Sequence, residues 1–147
     1  MSAAFPPSWY AASLPEPSPL PPLQGQIRAD VAVLGAGYTG LTAALELAAR
    51  GYRVVVLEAQ RIGWGASGRN GGQALVGYGC EVDTLEREVG RADARLLFDW
   101  SREAVQAMRR RIDRHAIDCH WVEGHASVAI RARHERDLRG HCEHLQR

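Results

Sequence analysis

Six residues, Gly35-Ala36-Gly37-Tyr38-Thr39-Gly40, constrain what this chain can fold into more than any other feature of it. They follow a short apolar run, Val31-Ala32-Val33-Leu34, of the kind expected for a strand buried on both faces of a parallel sheet. After them Leu41, Ala44, Leu45 and Ala48 recur at helical spacing up to Arg50, with Gly51 as the natural stop. A second apolar run, Val54-Val55-Val56-Leu57, ends in Glu58. Strand, glycine turn, amphipathic helix and strand in this order predict a complete β-α-β unit.

The glycine spacing gives each part of that unit a task if the ligand is a dinucleotide. Gly35 permits the tight turn out of the strand, Gly37 lets backbone approach a pyrophosphate, and Gly40 allows the helix to pack closely on the strand. The helix N-terminus then offers unpaired N–H groups and the positive end of its dipole to the phosphates. Glu58, eighteen residues after Gly40, stands where a carboxylate accepts hydrogen bonds from ribose hydroxyls and repels a 2′-phosphate, which disfavours NADP. A lone G-x-G-x-x-G also fits an ordinary glycine-rich turn. Here both strands, the helix, Gly51 and the acid are in register, and that context favours a dinucleotide without choosing between FAD and NAD.

The next segment bears on the choice. Arg61 to Gln73 holds five glycines in thirteen residues. Glycines at this density let successive N–H groups converge on an anion, and Ser67 and Arg69 add a hydroxyl and a cation. The competing reading is a flexible surface loop. A plain nicotinamide site does not require a second polar glycine loop straight after its acid, whereas a bulkier, two-ended cofactor such as FAD does.

Composition excludes some chemistry. All 18 cationic side chains are Arg, so no Schiff-base lysine and no P-loop lysine exist in the chain. A formal charge of +1 gives no global bias toward nucleic acid or an anionic membrane. The 147 residues, 46% hydrophobic, suit about one compact domain. Cys80, Cys119 and Cys142 are odd in number and lack C-x-x-C spacing, which suits unpaired thiols in a reducing compartment. Neither a signal peptide nor a membrane-spanning run is legible, and the expectation is a cytoplasmic protein.

Three segments are expected. Residues 1–26 form a proline-rich arm: all seven prolines fall before residue 23, and this stretch is expected to hold neither helix nor central strand. Its Phe5, Trp9, Tyr10 and Leu14 either dock on a neighbouring surface or belong to a mobile leader. Residues 27–80 are the β-α-β unit with its glycine loop. Residues 81–147 are a helical segment and the start of a second domain.

In that last segment Asp83 with Glu86 resembles a capping box, and Asp93 is a candidate cap for a longer helix with Leu97, Trp100, Ala104, Met108 and Ile112 as its apolar stripe. Arg109-Arg110-Arg111 with Arg114 reads as a solvated face rather than a nucleic-acid patch, since aromatic interleaving is absent. Alternation over Ala126 to Arg131 predicts an antiparallel strand. His134 to Arg147 reads as a polar helix with Leu138, Cys142 and Leu145 inward. His134, His141 and His144 fall near one helical face beside Cys142, but with no second cluster of matching spacing they define no metal site.

The motifs Gly35-Ala36-Gly37-Tyr38-Thr39-Gly40, Leu57-Glu58-Ala59 and Gly65-Ala66-Ser67-Gly68-Arg69-Asn70-Gly71-Gly72-Gln73 together resemble the D-amino-acid-oxidase-like FAD-dependent oxidoreductases. The likeness extends to Trp9-Tyr10-Ala11-Ala12-Ser13 and to Gly25 through Asp30, and covers the whole chain. It implies an α/β fold: a Rossmann-like FAD-binding β-α-β unit with an incomplete parallel sheet, followed by the start of an α+β substrate domain.

It also implies that Gly35, Gly37, Gly40 and Glu58 bind the ADP half of FAD, while the loop from Ser67 to Gln73 runs along the pyrophosphate toward the flavin. Ala36, Tyr38, Thr39, Ala59, Arg61, Ala66, Ser67, Gly68, Arg69, Asn70 and Gly72 complete the implied cofactor-binding set. The implied activity is oxidation of a primary or secondary amine, with dioxygen as the oxidant of the flavin and no nucleic-acid or membrane partner. Gly63 to Gln73 has no His or Cys to tether a flavin, so non-covalent binding is expected. Related enzymes are considerably longer. The rest of the substrate-binding sheet and a late glycine-containing segment that closes over the flavin have no counterpart here, which a truncated gene, a fragment of a longer sequence and a split protein with a complementing C-terminal chain all fit. One expectation is therefore an oxidoreductase or the N-terminal piece of one, and a dinucleotide-binding or interaction module without turnover is the other. No catalytic residue is assigned.

Overall fold

The two apolar runs of the β-α-β unit pair in parallel in the computed structural model, which describes residues 7–14 and 20–146. Strand β1 (Val31–Leu34) and strand β2 (Val54–Leu57) align Val31 with Val54 through Leu34 with Leu57. At the head of this ladder Arg53 donates to Asp30 from its backbone N–H at 2.8 Å and from Nη2 at 2.9 Å. At its foot the Gly35 N–H donates to the Leu57 carbonyl at 2.7 Å. The chain divides into two compact units, Met1–Gln73 and Ala74–Arg147, and this strand pair belongs to the first.

Two short helices complete the first unit. Helix α1 (Trp9–Ser13) begins at Ser8, whose Oγ accepts the Ala11 N–H at 3.2 Å. This corrects the expectation that the proline-rich arm holds no helix. Residues 8–14 are free of proline, so every N–H that a single helical turn requires is present. Phe5 lies outside the described residues. Helix α2 (Tyr38–Ala49) crosses from β1 to β2 and packs on both strands. It ends where Gly51 adopts φ +89°, a conformation open to glycine at no steric cost.

Neither strand is buried on both faces. Leu34 is 82% exposed, and every residue of β2 is half-buried. A strand gains two covered faces only when helices pack on both sides of the sheet, and among the described residues α2 is the helix that packs on this one.

The second unit is helical. Helix α3 (Val82–Val89) and helix α4 (Arg91–His115) pack together, joined at Gly90 with φ +82°. Helix α5 (Ala132–Leu145) follows. Residues 74–80 belong here: the Gly77 N–H donates to Ser101 Oγ at 2.9 Å, and Tyr78 Oη donates to the Leu97 carbonyl at 3.1 Å.

Four sequence expectations fail in this unit. Asp83 and Asp93 do not cap their helices. The N-cap positions are Glu81 and Gly90 without side-chain caps, and both aspartates sit in first turns, where the helix dipole still favours a negative charge. The inward stripe of α4 runs through Ala94, Leu97, Phe98, Ser101, Val105 and Ile112, and leaves Trp100, Ala104 and Met108 exposed. Ser101 takes an inward position because its hydroxyl donates to the Phe98 carbonyl while accepting from Gly77, so a polar residue is satisfied where pattern reading looks for an apolar one. On α5, Leu138 is half-buried but Cys142 and Leu145 are exposed. Finally, residues 126–131 form no strand, and Val128 and Ile130 are 75% and 78% exposed. Alternation makes a strand only where a second backbone supplies the ladder.

Candidate dinucleotide site

Three segments converge at the N-terminus of α2. The first is the glycine turn. Gly35 has φ +97°, and a Cβ on Gly40 would lie 2.0 Å from the Gly35 carbonyl oxygen and 3.2 Å from Val33 Cγ1. The third glycine of the motif is therefore the contact at which the helix rests on the strand.

The second segment is the end of β2. Glu58 Oε2 accepts the Ala36 N–H at 2.7 Å and Oε1 accepts the Gln60 N–H at 2.9 Å. These two backbone donors, Ala36 foremost, hold the Glu58 carboxyl below the usual carboxylate range, against a smaller opposing effect of burial. The carboxylate is thus fixed across the glycine turn. Each carboxylate oxygen has further lone-pair capacity, so Glu58 can still accept from a ribose hydroxyl.

The glycine loop is the third segment. The Gly63 N–H donates to the Ala36 carbonyl at 3.0 Å, which brings the loop to the turn, and a short 3-10 turn covers Ala66–Gly68. Ser67 Oγ accepts the Tyr38 N–H at 3.0 Å and lies 3.0 Å from where a Gly37 Cβ would be. The hydroxyl thus stands at the helix N-terminus, over the glycine of the turn whose missing side chain leaves it room. Glycine at 37 leaves a space that any side chain would fill, and its place beside the helix N-terminus suits a pyrophosphate.

Asn70 organises the loop. Its Nδ2 donates to Tyr38 Oη at 2.9 Å and to the carbonyls of Ala66 and Ser67 at 3.2 and 3.0 Å, while Oδ1 accepts the Gly72 N–H at 2.9 Å. Arg69 plays a more local part than an anion-seeking cation. Its guanidinium stacks on Trp64 at 4.6 Å, and Nε donates to the carbonyls of Trp64 and Gly65. Arg61 accepts the Trp64 N–H on its carbonyl at 3.0 Å. Tyr38, Ser67, Asn70 and Gly72 are therefore linked to one another, Ala36 and Glu58 form a second linked pair, Thr39 and Gly40 continue the first turn of α2, and Ala59 follows the fixed acid.

Two features of the second unit lie outside this site. A concave region of about 980 Å³ is lined by residues that include Leu85, Phe98 and Leu138. His144 faces two acids of α3, with Nδ1 3.3 Å from Asp83 and Nε2 3.5 Å from Glu86. Sequence reading grouped His144 with His134, His141 and Cys142 instead. The spacing of Asp83 and Glu86, one helical turn apart, was the signal for a paired acidic face. The three donors lie within 4.8 Å of one another, but the carboxylates address opposite nitrogens of the ring, which suits an imidazole held between two acids better than one shared ion. Arg109, from the basic run, is itself engaged by Asp113, Glu123 and the ring of Trp121.

Residues 30–147 match the family of FAD-dependent oxidoreductases known as DAO, and the chain belongs to that family. It is 47% identical over 123 residues to gamma-glutamylputrescine oxidoreductase of Escherichia coli, covering 84% of this chain and 29% of that protein. It is 43% identical over 131 residues to the probable oxidoreductase OrdL of Haemophilus influenzae, covering 89% and 30%, and 44% identical over 136 residues to OrdL of Rhizobium meliloti, covering 92% and 32%. The chain thus spans about a third of these relatives. No solved structure gives a significant match. Among the described residues no helix is long and apolar enough to cross a membrane.

Proposed function

We propose that this chain forms the ADP- and pyrophosphate-binding part of an FAD-dependent enzyme that oxidises a primary or secondary amine. The observation that carries the reading is the convergence of the Ser67 hydroxyl, the bare Gly37 and the N-terminus of α2 beside the fixed Glu58 carboxylate. In this reading Glu58 accepts from the ribose, and Gly35, Ala36, Gly37, Tyr38, Thr39 and Gly40 carry the diphosphate at the helix N-terminus. Ala59 and Arg61 border the adenosine end, and Ala66, Ser67, Gly68, Arg69, Asn70 and Gly72 line the path toward the flavin.

When bound, FAD would supply the redox chemistry, a two-electron oxidation of the amine to an imine, which water hydrolyses, with dioxygen as the final acceptor and peroxide as its product. The chain's own residues bind and orient. Residues 63–73 contain no His or Cys, which supports non-covalent attachment. The name of the Escherichia coli relative supports a small amine as substrate. We place the enzyme in the cytoplasm, with no nucleic-acid partner. The chain spans about a third of the length of these relatives, so the activity of the whole enzyme is itself part of the proposal.

The test is the visible spectrum of the 147-residue chain after incubation with FAD and gel filtration. Flavin absorbance that co-elutes with protein and is released by acid is the expected result. A folded, colourless peak that also fails to bind ADP in a titration refutes the site.

A further inference from the structure

Among the described residues of the leader, Tyr10 reaches the glycine loop. Tyr10 of α1 is half-buried while its neighbour Trp9 is exposed, and its Oη donates to Asn70 Oδ1 at 3.4 Å, sixty residues along the chain. A Cβ on Gly72 would lie 2.6 Å from the same Oη, so the tyrosine sits directly over the loop backbone. Asn70 is shared. The oxygen that accepts from Tyr10 also accepts the Gly72 N–H, and its amide nitrogen reaches Tyr38 Oη and the Ala66 and Ser67 carbonyls. Tyr10 is thereby linked through one side chain to the loop and to the first residue of α2.

We infer that Tyr10 is a positioning residue for the dinucleotide site, acting through Asn70 to hold residues 66–72 against the N-terminus of α2. A loop with this many glycines has high conformational entropy when free, and each fixed contact reduces what must be lost when a ligand binds. Asn70 alone folds the loop on itself. Tyr10 fastens it from outside, and the Ser8 cap that starts α1 sets the direction from which the ring arrives. The leader is therefore part of the site's construction. This inference rests on the reading of the loop as part of a dinucleotide site.

The experiment compares wild type, Tyr10→Phe, Tyr10→Ala and the control Trp9→Ala by hydrogen exchange of residues 63–73, by titration with ADP and by urea unfolding. Loss of the hydroxyl in Tyr10→Phe is expected to raise exchange across residues 66–72 and to weaken ADP binding by about threefold to tenfold, with the unfolding midpoint unchanged. Tyr10→Ala has the larger effect and Trp9→Ala none. Wild-type exchange and ADP affinity in both Tyr10 variants overturn the inference. If wild type binds no ADP, the dinucleotide reading fails by itself. Exchange that still rises in Tyr10→Phe then upholds the fastening of the loop, and unchanged exchange removes that too.

Discussion

The Ala36 N–H donates to Glu58 Oε2 at 2.7 Å, so the acid that ends the second strand is tied to the turn that ends the first. This bond and that from Gln60 depress the Glu58 carboxyl, and the Arg53 side chain and backbone do the same for Asp30 at the other end of the strand pair. A depressed folded-state carboxyl adds stability that is present above its unfolded value, about pH 4, and is lost as pH falls through the lower folded value. Urea midpoints should therefore decline as pH drops below about 4. Glu58→Gln should flatten that decline while lowering stability at pH 7 by up to about 1 kcal/mol, because a neutral amide presents one oxygen to two N–H groups and both sites are solvent-screened. An unchanged acid slope in the variant refutes the assignment.

Two glycines should respond to alanine with opposite signs. At Gly40 the new methyl meets the Gly35 carbonyl and Val33, backbone and packed side chain that cannot both retreat, so Gly40→Ala should cost about 1–3 kcal/mol or prevent folding. Gly140 lies inside α5 with nothing near its Cβ position and an ordinary φ, so Gly140→Ala should raise the stability of the second unit by about 0.5–1 kcal/mol. Thermal melts followed by circular dichroism check both.

These contrasts mark where the sequence is legible. The elements from Val31 to Glu58 are read correctly because each signal is local (apolar runs, glycine at fixed offsets, an acid at the strand end), whereas burial on both faces of the strands is not, because it depends on what packs on the sheet. The glycine loop is visible as a loop, but Asn70 as its organiser is not, since its five partners are set by the fold of residues 66–72 and by Tyr10 and Tyr38. Helix α1 is missed by extending the proline rule across a window that contains none. In the second unit, the strand at residues 126–131 is expected from alternation alone, and alternation does not reveal whether a pairing backbone exists. The stripe of α4 is right at Leu97 and Ile112 but wrong at Trp100, Ala104 and Met108, because Ser101, satisfied by Phe98 and Gly77, takes an inward position that pattern reading gives to an apolar residue.

Asn70 admits a sharper test than deletion. Its Nδ2 donates to three oxygens, two of them carbonyls of its own loop. Asn70→Ala removes these bonds. Asn70→Asp keeps the acceptor for Gly72 but sets a negative oxygen against the Ala66 and Ser67 carbonyls. The aspartate should therefore be the more damaging variant, with faster amide exchange in residues 63–73 than the alanine, although it is closer in shape. An aspartate that exchanges like wild type while the alanine exchanges faster would mean that only the Gly72 bond matters.

His144 and Glu86 should couple across α3 and α5. Both side chains are about two-thirds covered or more, and Nε2 to Oε1 is 3.5 Å, but Arg91 Nε also approaches the same Glu86 oxygen at 4.0 Å. The glutamate is thus shared between two bases, and removing His144 leaves it a second partner, which limits the loss. A double-mutant cycle of His144→Ala and Glu86→Ala should return about 0.2–1 kcal/mol, decreasing with added salt as expected for partly exposed charges. Repeating the cycle in Arg91→Ala should increase the His144 coupling, since Glu86 then answers to the imidazole alone. A coupling that is zero with and without Arg91 would show that α5 is held by its apolar contacts and that the histidine is incidental to them.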